Sequence, residues 1–287
     1  LLTTITPRLW GALEPFKNLP SVVSAYYTRM VPFAAAFGTP GMVGAIGSLL
    51  KAASEGQKMM SRAAAFRTKM EGLGFPPQFG SSTYAPFDYI GDFLRGTRGI
   101  MLDMYRCPDK LLETIEKVSQ ILLKGALSFP KLPGVHKVFI PLHKGLDGFM
   151  SLDQFKTFFW PTLKKLMLAL IEAGYTPCPL WEGNCESRLG TIADIPKGKA
   201  VYWFERTDLF KAKEILGDRV CLEGNVPSSL LCTGTPQKVK DYCKRLIDVV
   251  GKGGGFIMNG DGGVPDEARI ENFKAMEEVT KEYGVYR

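Results

Sequence analysis

Across residues 76–287, short apolar runs alternate with longer stretches in which apolar positions recur every three or four residues. Short continuous runs read as buried strands, and the 3.6-residue period reads as amphipathic helix. Strands are predicted at 78–83, 137–142, 176–180, 200–204, 219–222 and 256–258. Helices are predicted over 89–94, from Pro108 to about 124, over 151–173, near 187–194, over 208–216, from Thr235-Pro236 to 251, and over about 266–283. Several boundaries carry their own signal. Pro108 suits the first helical position, and Ser151 with Gln154 has the spacing of a capping box. Pro161 predicts a kink, Gly174 a stop, and Thr207 a cap for the helix after it.

Six strand-helix units follow one another at the spacing of right-handed parallel crossovers. An α/β fold of the (β/α)8 TIM-barrel type is the leading architecture, with its active site at the carboxyl ends of the strands. About six strands are visible, so the barrel is expected to be incomplete at its N-terminus unless the first seventy residues supply two more. Residues 1–75 are rich in Ala, Met, Gly and Pro, with helices predicted at 42–55 and 57–70 and turns at 18–20 and 38–41. They read as a helical segment packing on the barrel body of 76–287, one domain overall.

Composition narrows the function. The 287 residues are 45% hydrophobic and 23% charged, with a net charge of +7. That balance favours an anionic small molecule or an acidic partner, and the scattered Lys and Arg make no nucleic-acid patch. Six cysteines without a Cys-x-x-Cys pair read as reduced thiols, hence a cytoplasmic protein. Two histidines are too few for most His-based metal sites. No apolar run approaches the ~20 residues of a membrane span. The start, Leu1-Leu2-Thr3-Thr4, is unlike a signal peptide and reads as a chain entered partway.

Candidate chemistry gathers where strands end. Glu182, after Leu180-Trp181, is the leading general acid/base or metal ligand, because burial against Trp181 would raise its pKa. The bland alternative is a solvated loop acid. His143 follows strand 137–142 as a second catalytic candidate or a satisfied structural histidine, and Asp147 behind it could fix its tautomer or meet substrate. His136, at the other end of that strand, reads as structural.

Arg206 could grip a carboxylate or phosphate by two parallel hydrogen bonds, or pair with Glu205, Asp208 or Glu182. Asp208 also suits a helix start. Asn225, Asn259 and Asp261 are further substrate-binding candidates, and Gly260, Gly262 and Gly263 permit close approach to a ligand or a tight turn. Cys178 and Cys243 read as core, and Cys185 is the one thiol placed for reactivity.

The stretches Asp88-Tyr89-Ile90-Gly91-Asp92-Phe93-Leu94-Arg95-Gly96 and Met101-Leu102-Asp103-Met104-Tyr105-Arg106-Cys107-Pro108 resemble a segment that follows an early barrel strand in the uroporphyrinogen decarboxylase superfamily. Gly224-Asn225-Val226-Pro227, Gly234-Thr235-Pro236, Asn259 through Pro265 and Glu271 through Met276 look like its later signatures, in order. The resemblance runs from about Pro76 to Tyr286 and implies a (β/α)8 barrel whose opening strands this chain lacks. It implies either porphyrin-pathway decarboxylation or methyl transfer with a corrinoid protein.

Two departures count against the decarboxylase. Leu146-Asp147-Gly148 replaces a Trp-Ala-Gly stretch, and Gly262 replaces a histidine. The methyltransferase branch holds zinc with a His-x-Cys pair and a later Cys, where this chain has Leu180-Trp181-Glu182-Gly183-Asn184-Cys185, with neither the histidine nor the correctly spaced cysteine, and Asp261. Glu182, Cys185 and Asp261, with His143, are candidates for a different, oxygen-rich metal site.

The first expectation is therefore a divergent methyltransferase acting on a small molecule, with a corrinoid protein as partner, a homodimer as a candidate state, and no nucleic-acid or membrane partner. Decarboxylation of a polycarboxylate is the second. A barrel that has lost catalysis and serves as a binding module is the third.

Overall fold

The computed structural model describes residues 38–128 and 134–285. Residues 1–37, which include the turn expected at 18–20, lie outside the described residues. The chain divides into two compact units between Pro77 and Gln78.

In the first unit, helix α1 (Pro40–Gly72) runs unbroken through the two helices expected there. Gly56, the expected break, costs a helix about 1 kcal/mol relative to alanine. Good helix formers on both sides outweigh that, and the Glu55–Lys58 and Arg67–Glu71 pairs lie along the surface.

The second unit holds one parallel sheet of six strands in chain order: β1 (Ser81–Ser82), β2 (Lys137–Leu142), β3 (Thr176–Trp181), β4 (Val201–Phe204), β5 (Cys221–Val226) and β6 (Phe256–Gly260). Among the described residues the sheet is open, a barrel arrangement that does not close on itself. Its helical layer comprises α2 (Pro86–Tyr89), α3 (Thr97–Arg106), α4 (Pro108–Ser128), α5 (Leu152–Gln154), α6 (Trp160–Glu172), α7 (Leu189–Ile192), α8 (Leu209–Leu216), α9 (Ser228–Thr233), α10 (Pro236–Val249) and α11 (Ile270–Tyr283).

Strand β2 shows why the layers form. Val138, Ile140 and Leu142 are buried, whereas Lys137, Phe139 and Pro141 alternate with them on the other face. Prolines sit where their missing N–H matters least. Thr176 donates to His136, so the even positions of β3 hydrogen-bond toward β2 and the odd ones toward β4. Pro177 and Pro179 therefore lack donors toward β4, and the β3–β4 register is confined to Leu180↔Trp203 and Trp181↔Phe204.

Three elements depart from expectation in ways that shape the site. Strand β5 continues four residues past Leu222, which places Glu223 and Asn225 within the sheet. Helix α2 passes into a wide π-turn (Ile90–Leu94), and α5 passes into another (Phe155–Phe159) directly ahead of Pro161, whose ring excludes the carbonyl four residues back. The capping box at Ser151 and Gln154 forms as read. Asp208, not Thr207, caps α8, with its carboxylate accepting from the Phe210 and Lys211 amides.

Candidate functional site

The carboxyl ends of β1, β2, β3 and β4 bring together Tyr84, Asp88, Asp92, His143, Lys144, Glu182 and Glu205. The imidazole of His143 is the centre. Its Nδ1 lies 2.5 Å from Asp92 Oδ2, and its Nε2 lies 3.5 Å from Glu182 Oε1. The buried Lys144 ammonium pairs with the other Asp92 oxygen. An ionised Asp92 can only accept, so Nδ1 carries the proton and Nε2 faces Glu182. The Tyr84 ring stands edge-on to the imidazole at 6.0 Å.

The surroundings push the two flanking carboxyls apart. Burial raises Asp92, but hydrogen bonds from Lys144 and His143 outweigh it and hold the group below the usual range. For Glu182, burial dominates and pushes the carboxyl up; His143 opposes the shift while Glu205 and Asp92 reinforce it. One carboxylate thus stays ionised and the other is inclined to keep its proton, the pattern that separates acid from base in a catalytic pair. Beneath them Asp88, wholly buried, is pushed up to about 7, burial outweighing the backbone hydrogen bond from His143.

A cleft of about 540 Å³ opens beside Glu205, lined among others by Arg206, Asp208, Asn225, Tyr242 and Arg245. The guanidinium of Arg245 lies 4.3 Å over the Phe210 ring.

The family model for uroporphyrinogen decarboxylase (URO-D) matches residues 75–283. The chain belongs to the uroporphyrinogen decarboxylase family. A relative from Chlorobium luteolum named uroporphyrinogen decarboxylase is 31% identical over 139 residues, 46% of this chain and 38% of that protein. One of the same name from Chlorobium phaeobacteroides is 25% identical over 197 residues, 63% of this chain and 52% of that protein. The chain spans about half or less of the length of these curated relatives. A solved methyltransferase from Methanosarcina mazei shares the fold, with a TM-score of 0.62 at 20% identity over 77% of this chain and 63% of that one.

Against this family background the predicted residues separate into two groups. His143 and Glu182 meet, with Glu205 nearby accepting the Gly183 amide at 2.5 Å. Arg206 is 75% exposed and lies 3.4 Å from Glu205. The others hold loops, and Asp208, Asn225 and Asp261 do so along the wall of the 540 Å³ cleft. Asp147, expected to orient His143, instead accepts from Ser187 N and Oγ, and the imidazole is held by Asp92. Asn225 donates to the carbonyls of Thr207 and Glu205. Asp261 fixes the start of α9 through both Ser228 donors, and Asn259 donates to Glu223.

The metal set does not assemble. A zinc site needs three or four converging donors, and among the described residues no three His, Cys, Asp or Glu side chains are so placed. The Cys185 thiol is buried, pushed up to about 12 chiefly by burial, and lies 3.7 Å from the Glu182 carbonyl. Asp261 is engaged elsewhere. These residues do not fit a metal ion.

Asp88, Asp92, Lys144 and Tyr84 escaped the sequence reading as site residues. The signal available was the pair of acids four apart in Asp88-Tyr89-Ile90-Gly91-Asp92, which a single wide helical turn keeps on one side. Gly91 makes the pairing possible: a Cβ there would stand 2.7 Å from Lys144 Cε.

Among the described residues, no helix is long and apolar enough to cross a membrane.

Proposed function

We propose that the chain catalyses methyl transfer from a small methylated compound to a corrinoid carried by a separate protein that docks over the strand ends. The observation that carries this reading is the His143 imidazole between an ionised Asp92 and a Glu182 carboxyl that burial pushes above its ordinary range. A methyl group on nitrogen, oxygen or sulfur leaves a poor leaving group behind unless that heteroatom is protonated as the bond breaks. Glu182 supplies that proton and regains one from water at the open mouth for the next cycle, while His143, held by Asp92, faces its carboxyl through Nε2. The corrinoid, when docked, supplies the nucleophile that accepts the methyl group.

Charge pairing supports a donor other than a polycarboxylate. At this centre Lys144 is paired with Asp92 and Arg206 lies 3.4 Å from Glu205, so each cation already has a carboxylate beside it. A polycarboxylate would have to compete with those partners for its grip. Decarboxylation of such a substrate is the second reading, favoured by the names of the curated relatives.

The test is a panel of methylated amines and methoxylated compounds mixed with the protein and cob(I)alamin, followed by the change in the corrinoid absorption spectrum. Conversion with at least one donor, abolished by Glu182→Gln, is expected. Silence across the panel, with carbon dioxide released from uroporphyrinogen, would replace the first reading with the second.

A further inference from the structure

We propose that Asp88 is the positioning residue of this site, its carboxylate gripping the backbone amides of His143 and Lys144 and so setting the imidazole between Asp92 and Glu182. This rests on the reading of His143 and Glu182 as the reacting centre. Asp88 has no exposed surface. One of its oxygens accepts the His143 amide at 2.9 Å and the other accepts the Lys144 amide at 2.9 Å. Both amides lie just past the end of β2, where the sheet no longer supplies partners, so an acceptor from another element has to satisfy them.

The second half of the clamp is sequential. Asp92, one turn on, takes the side chains of the two residues whose backbones Asp88 holds. Two acids on one turn thus fix two consecutive residues by main chain and side chain together. Asp88 lies below the imidazole and touches no open space, so it acts through His143 and not on substrate.

Substitution by asparagine keeps the size but offers one acceptor, and its amide N–H opposes the second backbone N–H. The proposal predicts three results for Asp88→Asn in full-length ¹⁵N-labelled protein. The His143 imidazole, which His136→Gln distinguishes from the only other histidine, changes from one Nδ1–H tautomer to a mixture. Hydrogen-exchange protection at the His143 and Lys144 amides falls at least tenfold. Amides of β3 and β4 keep theirs. Unchanged tautomer and protection in folded Asp88→Asn and Asp88→Ala proteins would overturn the assignment.

If neither variant folds, the wild-type protein decides. The groups acting on Asp88 are His143 and Lys144 from the β2 loop, with Asp92 and Tyr84 from its own segment. The two backbone amide protons should follow the Asp88 side-chain ¹³C titration with one shared midpoint, and should do so in His143→Gln as well. Amides that ignore the titration of Asp88 would sink the idea. None of these measurements needs a substrate, so failure of methyl transfer leaves them intact, and their failure with activity present removes the role of Asp88 alone.

Discussion

Glu182 lies just past the end of β3 and Glu223 within β5, two strands away, and only one of them is placed for chemistry. Glu223 is wholly buried. It accepts from Gln78 at 2.6 Å, from Asn259 at 2.7 Å, and from the Cys178 thiol at 3.8 Å. Burial, with Glu223 beside it, pushes that thiol up, so all three donors are neutral. Glu182 has a side chain 38% exposed and one titratable neighbour at 3.5 Å. A carboxylate held by three neutral donors serves as a tie across the sheet. One that is half open beside an imidazole can pass a proton on.

The sharpest way to break that contrast is Glu182→Gln, which keeps the shape and removes the acid. Methyl transfer should fall by roughly 10²–10⁴ in kcat, the usual worth of a general acid, with the urea midpoint close to wild type. An active Glu182→Gln enzyme would place the chemistry elsewhere.

Next comes pH. Asp88, raised to about 7, and Glu182, also raised, bind protons more tightly in the folded state than in the unfolded chain. Their stabilising contribution is complete below the ordinary carboxylate range and is lost as pH rises, through about 7 for Asp88. Asp92 is lowered, so its contribution is present above the ordinary range and is lost in acid. Stability should therefore be greatest in mildly acid solution. The loss from Asp88 as pH rises from 4 to 9 should be on the order of 4 kcal/mol, and Asp88→Asn should flatten that limb in urea titrations run over the same range. A flat wild-type profile would contradict the burial argument.

The same contrast shows what the sequence could tell. Strand β2 and the capping box at Ser151 were legible because periodicity and turn chemistry are local properties. Glu182 was legible because it ends an apolar strand. Asp88 and Asp92 were not, since their value comes from meeting the β2 loop 55 and 51 residues on. Of the two roles open to Asp147, holding the His143 ring falls to Asp92 from another element, a contact that proximity in sequence does not reveal. The end of β5 was read too short because Glu223-Gly224-Asn225 looks like a polar loop until Gln78 and Asn259 supply its partners across the sheet.

Glu223 can be tested on the stability side. Glu223→Ala removes the acceptor of the exposed Gln78 amide and of the half-buried Asn259 amide, and each hydrogen bond lost where water can take its place is worth roughly 0.5–1.5 kcal/mol. A drop of about 1–3 kcal/mol in unfolding free energy by urea titration is expected. Any methyl-transfer activity of the protein that remains folded should be retained within severalfold, and a catalytic defect in stable protein would make Glu223 more than a tie.

The smallest effect belongs to Arg206, which the sequence offered as a grip for an anion. Its side chain is 75% exposed and lies 3.4 Å from Glu205, so the pair is screened by solvent and holds little energy. Arg206→Ala should change stability by less than about 0.5 kcal/mol. Its effect on function separates the two proposed chemistries. For a neutral or cationic methyl donor, removing a cation from the rim should leave KM unchanged or slightly lower. For a polycarboxylate, loss of an arginine beside the 540 Å³ cleft should raise KM several-fold, and more steeply at low salt. Measuring KM at two ionic strengths for whichever substrate turns over therefore decides whether the rim of this barrel works as an acidic mouth or as a cationic one.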